Sequence, residues 1–391
     1  MSLETTHTFA GRHYETGTIA NWLQASGHDI SESLVFGASG GIAFGYFVFE
    51  YTGHLPHVAL LLRNTFSPFD RALDNLGVRR TVKETVDPKK GLENLRMELD
   101  FGQPVIVWAD AFSASWTNLP TGGMWSMNPL LVLRSVGSGF EVVDSCARPF
   151  FVEADELQAL RSVVKKDRYR ICVLDGIDHD RWVAGLLDGI KACCRLFLDK
   201  PPAGSTKNFG FCGMQHFINA LRDNKTALGW GKKFAGNEKF IQGAFGTLGQ
   251  PGIWDWIEQW GTAPGANRST YACFLRLASP VLKLDFGEVA QALDHSSQLW
   301  REVAAAAMPD SIPAITKLRE TKQQLAKLRW EDPVGTLAAR AALRDELRSI
   351  IASMPDLTEV SLSIRAEVAD RMEQVLAVEQ GAISQLREIV S

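Results

Sequence analysis

A change of hydrophobic period near residue 180 constrains this chain more than any other feature. Before it, short apolar runs bounded by turn residues follow one another; after it, apolar residues recur at helical spacing. Pro104-Val105-Ile106-Val107-Trp108-Ala109 is an unbroken apolar run between Gly102 and Asp110, the pattern of a buried strand. Leu130 to Arg134 and Phe140 to Asp144 flank Gly137-Ser138-Gly139, a hairpin signal, and Tyr169 to Leu174 supplies a further strand. Val58 to Leu62 and Val78 to Val82 also read as strands, with helices expected over 15–26, 68–76, 90–101 and 153–163. The glycine-rich stretch Leu34 to Tyr51 reads as a packed turn-and-helix region.

Helices followed by a meander of strands predict an α+β domain over residues 1–178. Residues 179–391 predict an all-α helical domain, with runs over 182–198, 212–222, 253–260, 271–284 and 286–307. Two long charged helices end the sequence, over 312–352 and 357–390, with breaks near Asp332-Pro333 and Met354-Pro355. Their interleaved Glu, Lys and Arg at i,i+4 spacing predict a solvated face.

Composition narrows the class of partner. The 391 residues are 46% hydrophobic and 22% charged, with a net charge of −4, an ordinary globular balance. That balance offers no broad attraction to nucleic acid or to an anionic membrane, so neither is expected as a partner. No run approaches the roughly 20 apolar residues of a membrane helix, and Met1 to Arg12 lacks a signal-peptide core; a cytoplasmic location is expected. The six cysteines form no CxxC pair and read as buried thiols.

One constellation carries chemistry. Gly11-Arg12-His13-Tyr14-Glu15-Thr16 stands just before a helix, whose first amides suit a developing oxyanion. Trp125-Ser126-Met127-Asn128-Pro129 precedes a buried strand, and Asp144 closes the next one. A nucleophile at a helix start with a base and an orienting acid on a sheet is the geometry of a Cys–His–Asp hydrolase.

At these residues the sequence resembles the butirosin biosynthesis protein H family of papain-like acyltransferases, relatives of bacteriocin-leader peptidases. The family's Gly-x-His-Cys-x-Thr opening is similar to Gly11 through Thr16, and its Ser-Glu step to Ser31-Glu32. Its Gly-rich segment is similar to Phe36-Gly37 through Phe44-Gly45-Tyr46. Its Gly-x-Pro-Val strand and following Asp are similar to Gly102-Gln103-Pro104-Val105 and Asp110. Its His-x-Val-Val-Val strand is similar to Asn128 through Val132, and its closing Asp to Asp144. Asn208-Phe209-Gly210 and Leu299-Trp300-Arg301 resemble landmarks of the family's helical C-terminal domain. The resemblance implies a papain-like (cysteine-protease-like) domain followed by a helical one. It places Tyr14 at the family's cysteine and Asn128 at its histidine.

Those two replacements shape the expected chemistry. A phenol with a pKa near ~10 is a poor acyl nucleophile without a base, and an amide side chain cannot take a proton. The resembling enzymes move an acyl group from the phosphopantetheine thioester of a carrier protein to an amine. A thioester is already activated, so the amine can attack it directly, given positioning, an oxyanion hole and a base. The expected catalytic residues are His13, Tyr14, Glu15, Asn128 and Asp144, with His13, Glu15 and Asp144 the alternatives for the base. Arg12, Thr16, Asp110 and Trp125 are the expected substrate contacts. The expected partners are an acyl or peptidyl carrier protein and a small amine, aminosugars included, and a homodimer is left open. No cofactor held by the protein itself is expected, the phosphopantetheine arriving on the carrier. Lincosamide condensing enzymes suggest themselves by pathway chemistry.

Three other readings stand beside this one. Loss of both catalytic side chains also describes a papain-like pseudoenzyme that binds a partner without chemistry. A displaced nucleophile at Cys212, with His216 one turn on, or at Cys146, is the second. The third treats His54 and His57 as ligands, but no flanking residue completes a metal set, so no metal is expected. Trp230, Trp254, Trp256 and Trp260 read as packing, with a sugar pocket as the alternative.

Overall fold

In the computed structural model, residues 8–119, 126–163, 168–247, 249–260 and 264–391 are described. The chain forms two compact units. One comprises Met1–Val35, Leu76–Asp180 and Gln323–Asp345; the other comprises Phe36–Asn75, Arg181–Lys322 and Glu346–Ser391. The passage from Asp180 to Arg181 falls beside the 178/179 boundary expected from sequence, while segments 36–75 and 323–345 each leave the unit of their sequence neighbours.

Eight strands are described: β1 (Ile42–Phe49), β2 (His57–Arg63), β3 (Val78–Lys83), β4 (Val105–Asp110), β5 (Met127–Val136), β6 (Gly139–Val143), β7 (Phe150–Glu153) and β8 (Ile171–Ile177). In the first unit six of them form an antiparallel sheet in the order β3-β8-β4-β5-β6-β7. β4 lies inside this sheet, and all six of its residues are buried, as its unbroken apolar run predicts. Val105, Ile106 and Val107 are fully buried; each contributes about 1.5–3 kcal/mol. The expected hairpin is present: Leu131 faces Val143 and Ser135 faces Phe140 across Gly137, whose φ of 55° fits glycine.

The helix Thr16–Ala25 buries Ile19, Trp22 and Leu23, and Trp22 Nε1 donates to Pro104 O at 2.9 Å, joining it to the start of β4. It ends at Ser26, followed by Gly27 at φ 87°. Helix Pro88–Asp100 starts on Asp87, whose carboxylate accepts from the Lys89 and Lys90 amides, with Pro88 at the first helical position. A mixed α+β unit is thus established, with a helix opening at Thr16 and a sheet that carries Asn128 and ends a strand just before Asp144, the arrangement the papain-like resemblance implies.

In the second unit one expectation needs correcting. Residues 42–49 are strand rather than helix, paired antiparallel with β2 so that Tyr46 faces Leu60 and Phe49 faces His57. Phe44, Tyr46, Val48 and Phe47, Phe49 alternate in sequence, and β-branched and aromatic residues favour a pleated surface over a helix. The remainder of this unit is helical, with Trp182–Leu198, Gly210–Arg222, Arg268–Leu282, Gly287–Ala307 and Thr358–Ile389 as its longest elements wholly within it. Its core contains an ion pair with both side chains fully buried, Arg268 Nε to Glu379 Oε1 at 2.7 Å. Arg268 also donates to the carbonyls of Leu62, Ala266 and Ala43, and Glu379 accepts from Ser296 Oγ and Trp300 Nε1. The charges are buried with their hydrogen-bonding capacity used, the condition under which such a pair is tolerated.

Candidate active site

The site is built on the turn Gly11–Thr16, all of it in the first unit. A Cβ on Gly11 would stand 2.2 Å from Gly17 O, and one on Gly17 would stand 2.6 Å from Arg12 N. Only paired glycines let the chain fold back this closely over the helix start. Two side chains then take up the backbone donors there. His13 Nδ1 accepts from the Glu15 amide at 3.1 Å and from the Thr16 amide at 3.4 Å, capping the helix Thr16–Ala25. Glu32 accepts from the Arg12 amide at 2.8 Å, the His13 amide at 3.0 Å and Thr16 Oγ1 at 3.0 Å. Burial pushes the Glu32 carboxyl above its ordinary value despite these bonds.

The two amides pointing at Nδ1 match an imidazole whose Nδ1 is the acceptor nitrogen. His13 is buried, and its ring packs on Tyr14 with centroids 4.2 Å apart. Tyr14 and Glu15 are half-buried.

Asn128 stands near the start of β5, where it faces Ala109 of β4. Thr18 Oγ1 lies 2.7 Å from Tyr14 O and 3.3 Å from Pro129 O, tying the Tyr14 turn to the residue after Asn128. Asn128 Oδ1 accepts from Ser126 Oγ at 3.0 Å. Asp144 directly follows Val143, the last residue of β6, which faces Leu131 of β5. The structure thus ties the Tyr14 turn to the strand that carries Asn128, while Asp144 stands just past the end of β6.

Asp144 itself is committed elsewhere. Its Oδ2 accepts from Trp116 Nε1 at 2.7 Å and lies 3.6 Å from Arg329. Asp110 is buried and serves its own turn, accepting from the amides of Phe112, Ser113 and Ser126 and from the Ser113 hydroxyl. Arg12 is exposed, with its guanidinium 4.5 Å from the centroid of the Trp330 ring. Trp125 lies outside the described residues.

Sequence reasoning assigned no role to Trp116, Arg329, Trp330 or Arg340. Arg329 and Trp330 close the helix Pro313–Glu331, and Arg340 belongs to Leu337–Ala352. Ala147 N donates to Trp330 O at 2.8 Å. Arg340 is buried and donates to Trp116 O at 2.7 Å, Thr117 O at 3.3 Å and Pro333 O, so it holds the carbonyls of the turn that presents Trp116. Burial brings its guanidinium down to about 10, and repulsion from Arg329 acts in the same direction. The local signal was an aromatic residue, Trp330, inside a charge-rich helix; its spacing alone gave no partner.

The displaced-nucleophile residues do not assemble a thiolate site. Burial pushes the Cys146 thiol up to about 12, and its Sγ donates to Arg148 O at 3.1 Å. Cys212 is exposed, while His216, whose basicity burial lowers, packs edge-on against Tyr46 at 5.2 Å. His57 stacks against Phe49 and Tyr51. No group of three or more His, Cys, Asp or Glu among the described residues could hold a metal ion. Trp230 and Trp254 are buried, and Trp256 Nε1 donates to Val58 O at 2.8 Å, so these three pack and anchor. Among the described residues no helix is long and apolar enough to cross a membrane.

A helix-start turn is thus tied to a sheet strand in a mixed α+β unit, with Tyr14 on the turn and Asn128 on the strand. Residues 13–144 match the family model described as butirosin biosynthesis protein H, N-terminal, and this places that segment of the chain with butirosin biosynthesis protein H-like proteins. The match begins at His13 and ends at Asp144, so Arg329, Trp330 and Arg340 lie beyond it. No curated protein matches the chain.

Proposed function

We propose that this protein is a carrier-protein-dependent acyltransferase of antibiotic or other specialised-metabolite biosynthesis, forming an amide by direct attack of an amine on a phosphopantetheine thioester. The carrying observation is the tie between the Tyr14 turn and the Asn128 strand through Thr18, which keeps acyl-transfer geometry where the thiol and imidazole are gone. The amine nitrogen attacks the thioester carbonyl, the C–S bond breaks, and the proton lost by nitrogen ends on the pantetheine sulfur.

The turn narrows the roles. The Arg12 and His13 amides serve Glu32 and those of Glu15 and Thr16 serve His13, so an oxyanion bound at this helix start would compete with bonds the turn already makes. The base is one of His13, Glu15 and Asp144, of which His13 accepts amide protons at Nδ1 and Asp144 is held by Trp116 and Arg329. Asn128 would orient the carbonyl or the amine. The commitment of Asp144 also favours the rival reading, a binding scaffold without chemistry.

The experiment is incubation of the whole chain with aminoacyl carrier proteins and a panel of amines, aminosugars included, read by mass spectrometry. Amide that depends on the protein supports the proposal. A stable acyl adduct on the protein defeats direct attack, and partner binding with no amide from any pair establishes the scaffold.

A further inference from the structure

The second unit holds a cavity of about 240 Å³ whose lining lies wholly within that unit. Trp230, Phe234 and Phe240 line it and are buried, with the first two rings 4.2 Å apart. The indole N–H of Trp230 is spent on the Tyr46 hydroxyl at 3.0 Å, so these three residues offer hydrocarbon. Leu362, in the first turns of the helix Thr358–Ile389, lines the same cavity and is 51% exposed, an apolar surface that a ligand can cover.

One charged residue, Arg365, lines this cavity, and it is only 6% exposed. Its Nε donates to Ser361 O at 3.3 Å, one terminal nitrogen to Leu221 O at 3.0 Å and the other to Asn224 Oδ1 at 2.8 Å. All three acceptors are neutral. A guanidinium carries five N–H groups, so these bonds leave one on each terminal nitrogen. The Leu221 bond caps the C-terminal end of the helix Gly210–Arg222, where the helix supplies about half a negative charge and no full counter-ion. The neighbouring acids are occupied or solvated. Asp223 accepts from the Lys225 and Thr226 amides, Asp356 from the Thr358 amide and hydroxyl, and Asp370 and Glu373 pair with Arg222. Glu238 and Glu359 are exposed, and neither bonds to Arg365. Burial therefore lowers the basicity of Arg365 with no acid to oppose it.

The other polar groups of the lining are used internally. Asn237 bonds Pro355 O and the Leu357 amide, and the hydroxyls of Thr358 and Ser361 donate to Asp356 and to Thr358 O. That leaves little to receive the several hydroxyls of a sugar. The volume also falls below the roughly 300–1,000 Å³ of drug-sized sites, which favours a small ligand. A desolvated cation beside hydrocarbon suits a molecule that brings one negative charge and an apolar body.

We propose that this cavity binds a small monocarboxylate, its carboxylate on Arg365 and its hydrocarbon against Trp230, Phe234, Phe240 and Leu362. The inference is independent of the acyl-transfer reading.

The test is calorimetric titration of the whole chain with benzoate, hexanoate, inorganic phosphate and benzamide, the neutral counterpart of benzoate. The two carboxylates are expected to bind, benzoate about tenfold more tightly than benzamide. In Arg365→Gln the benzoate-to-benzamide affinity ratio is expected to fall to about one, while melting curves report the lost helix cap separately. Leu362→Glu, at an exposed position, sets a like charge beside the carboxylate and is expected to weaken benzoate at least about tenfold with the fold intact. This second variant decides the matter if Arg365→Gln does not fold. Failure of both carboxylates to bind the wild type, equal affinity for benzoate and benzamide, or undiminished benzoate binding in Leu362→Glu overturns the site. Phosphate binding more tightly than either carboxylate overturns the assigned ligand class.

Discussion

Replacing Asp144 with Asn distinguishes an anchor from a general base. The carboxylate accepts from Trp116 Nε1 at 2.7 Å and faces Arg329 at 3.6 Å. Asn keeps an acceptor for the indole but makes it neutral, which reduces that bond by about 1 kcal/mol. Coulomb's law at an effective dielectric of ~20 gives about 4.6 kcal/mol for a bare pair at this separation. Arg329 is 36% exposed, and solvent screening cuts that to at most about 1 kcal/mol. The total is about 2 kcal/mol, a fall in melting temperature of roughly 2–3 °C for a chain of 391 residues. Proton transfer by a positioned base is worth about 10²–10⁴ in rate, whereas an anchor that keeps its geometry costs less than about tenfold. Asp144→Asn is therefore expected to melt a few degrees lower while forming amide within tenfold of wild type, measured by calorimetry and mass spectrometry. An unchanged melting point with a loss of a hundredfold or more in kcat would refute the assignment of Asp144 as an anchor.

The other expectations are independent of this one. Glu379→Gln leaves the Arg268 cation without its counter-charge in a fully buried site, and should cost about 3–5 kcal/mol, read as an earlier unfolding transition; a loss under ~1 kcal/mol would contradict it. Glu32 has a raised folded-state pKa, so its ionisation opposes folding: stability relative to Glu32→Gln should fall as pH rises from about 4.5 through that raised value and then level off. Melting curves of the two proteins from pH 4 to 8 give the sign directly, and a difference that grows with pH would be the wrong one. Iodoacetamide at pH 8 should mark Cys212 and Cys273, which are exposed, and spare Cys146, whose thiol burial holds up to about 12; peptide mapping showing Cys146 labelled first would overturn this.

Much of the site was legible because its parts are local. A glycine-flanked turn before an amphipathic run marks a helix start, and an apolar run ending at Asp110 marks a buried strand, whatever the rest of the chain does. Asn128 could be set on one strand and Asp144 at the end of its neighbour because the Gly137-Ser138-Gly139 turn joins the two as a hairpin. The stretch at 42–49 was misread because four glycines across 37–45 obscured the alternation of Phe44, Tyr46 and Val48, and pairing with β2 decided the matter. Likewise, the cap at Glu15 and Thr16 was invisible as such: a histidine in a motif looks like a base until its Nδ1 is seen accepting amide protons.

By itself, the sequence determined the α+β start and the helical remainder, and it set Tyr14 and Asn128 at the positions the resemblance assigns to a cysteine and a histidine. Period, turn chemistry and residue identity are local properties, and each can be read without knowing what lies across the core. Tertiary structure alone decided what each polar group does. Arg340 meets Trp116 O from 224 positions away, Arg329 reaches Asp144, and Trp330 receives Arg12. Such pairings depend on which distant segments folding brings within hydrogen-bonding range. Spacing along the chain carries no trace of them, which is why a solvated-looking helix proved to contact Arg12 and Asp144.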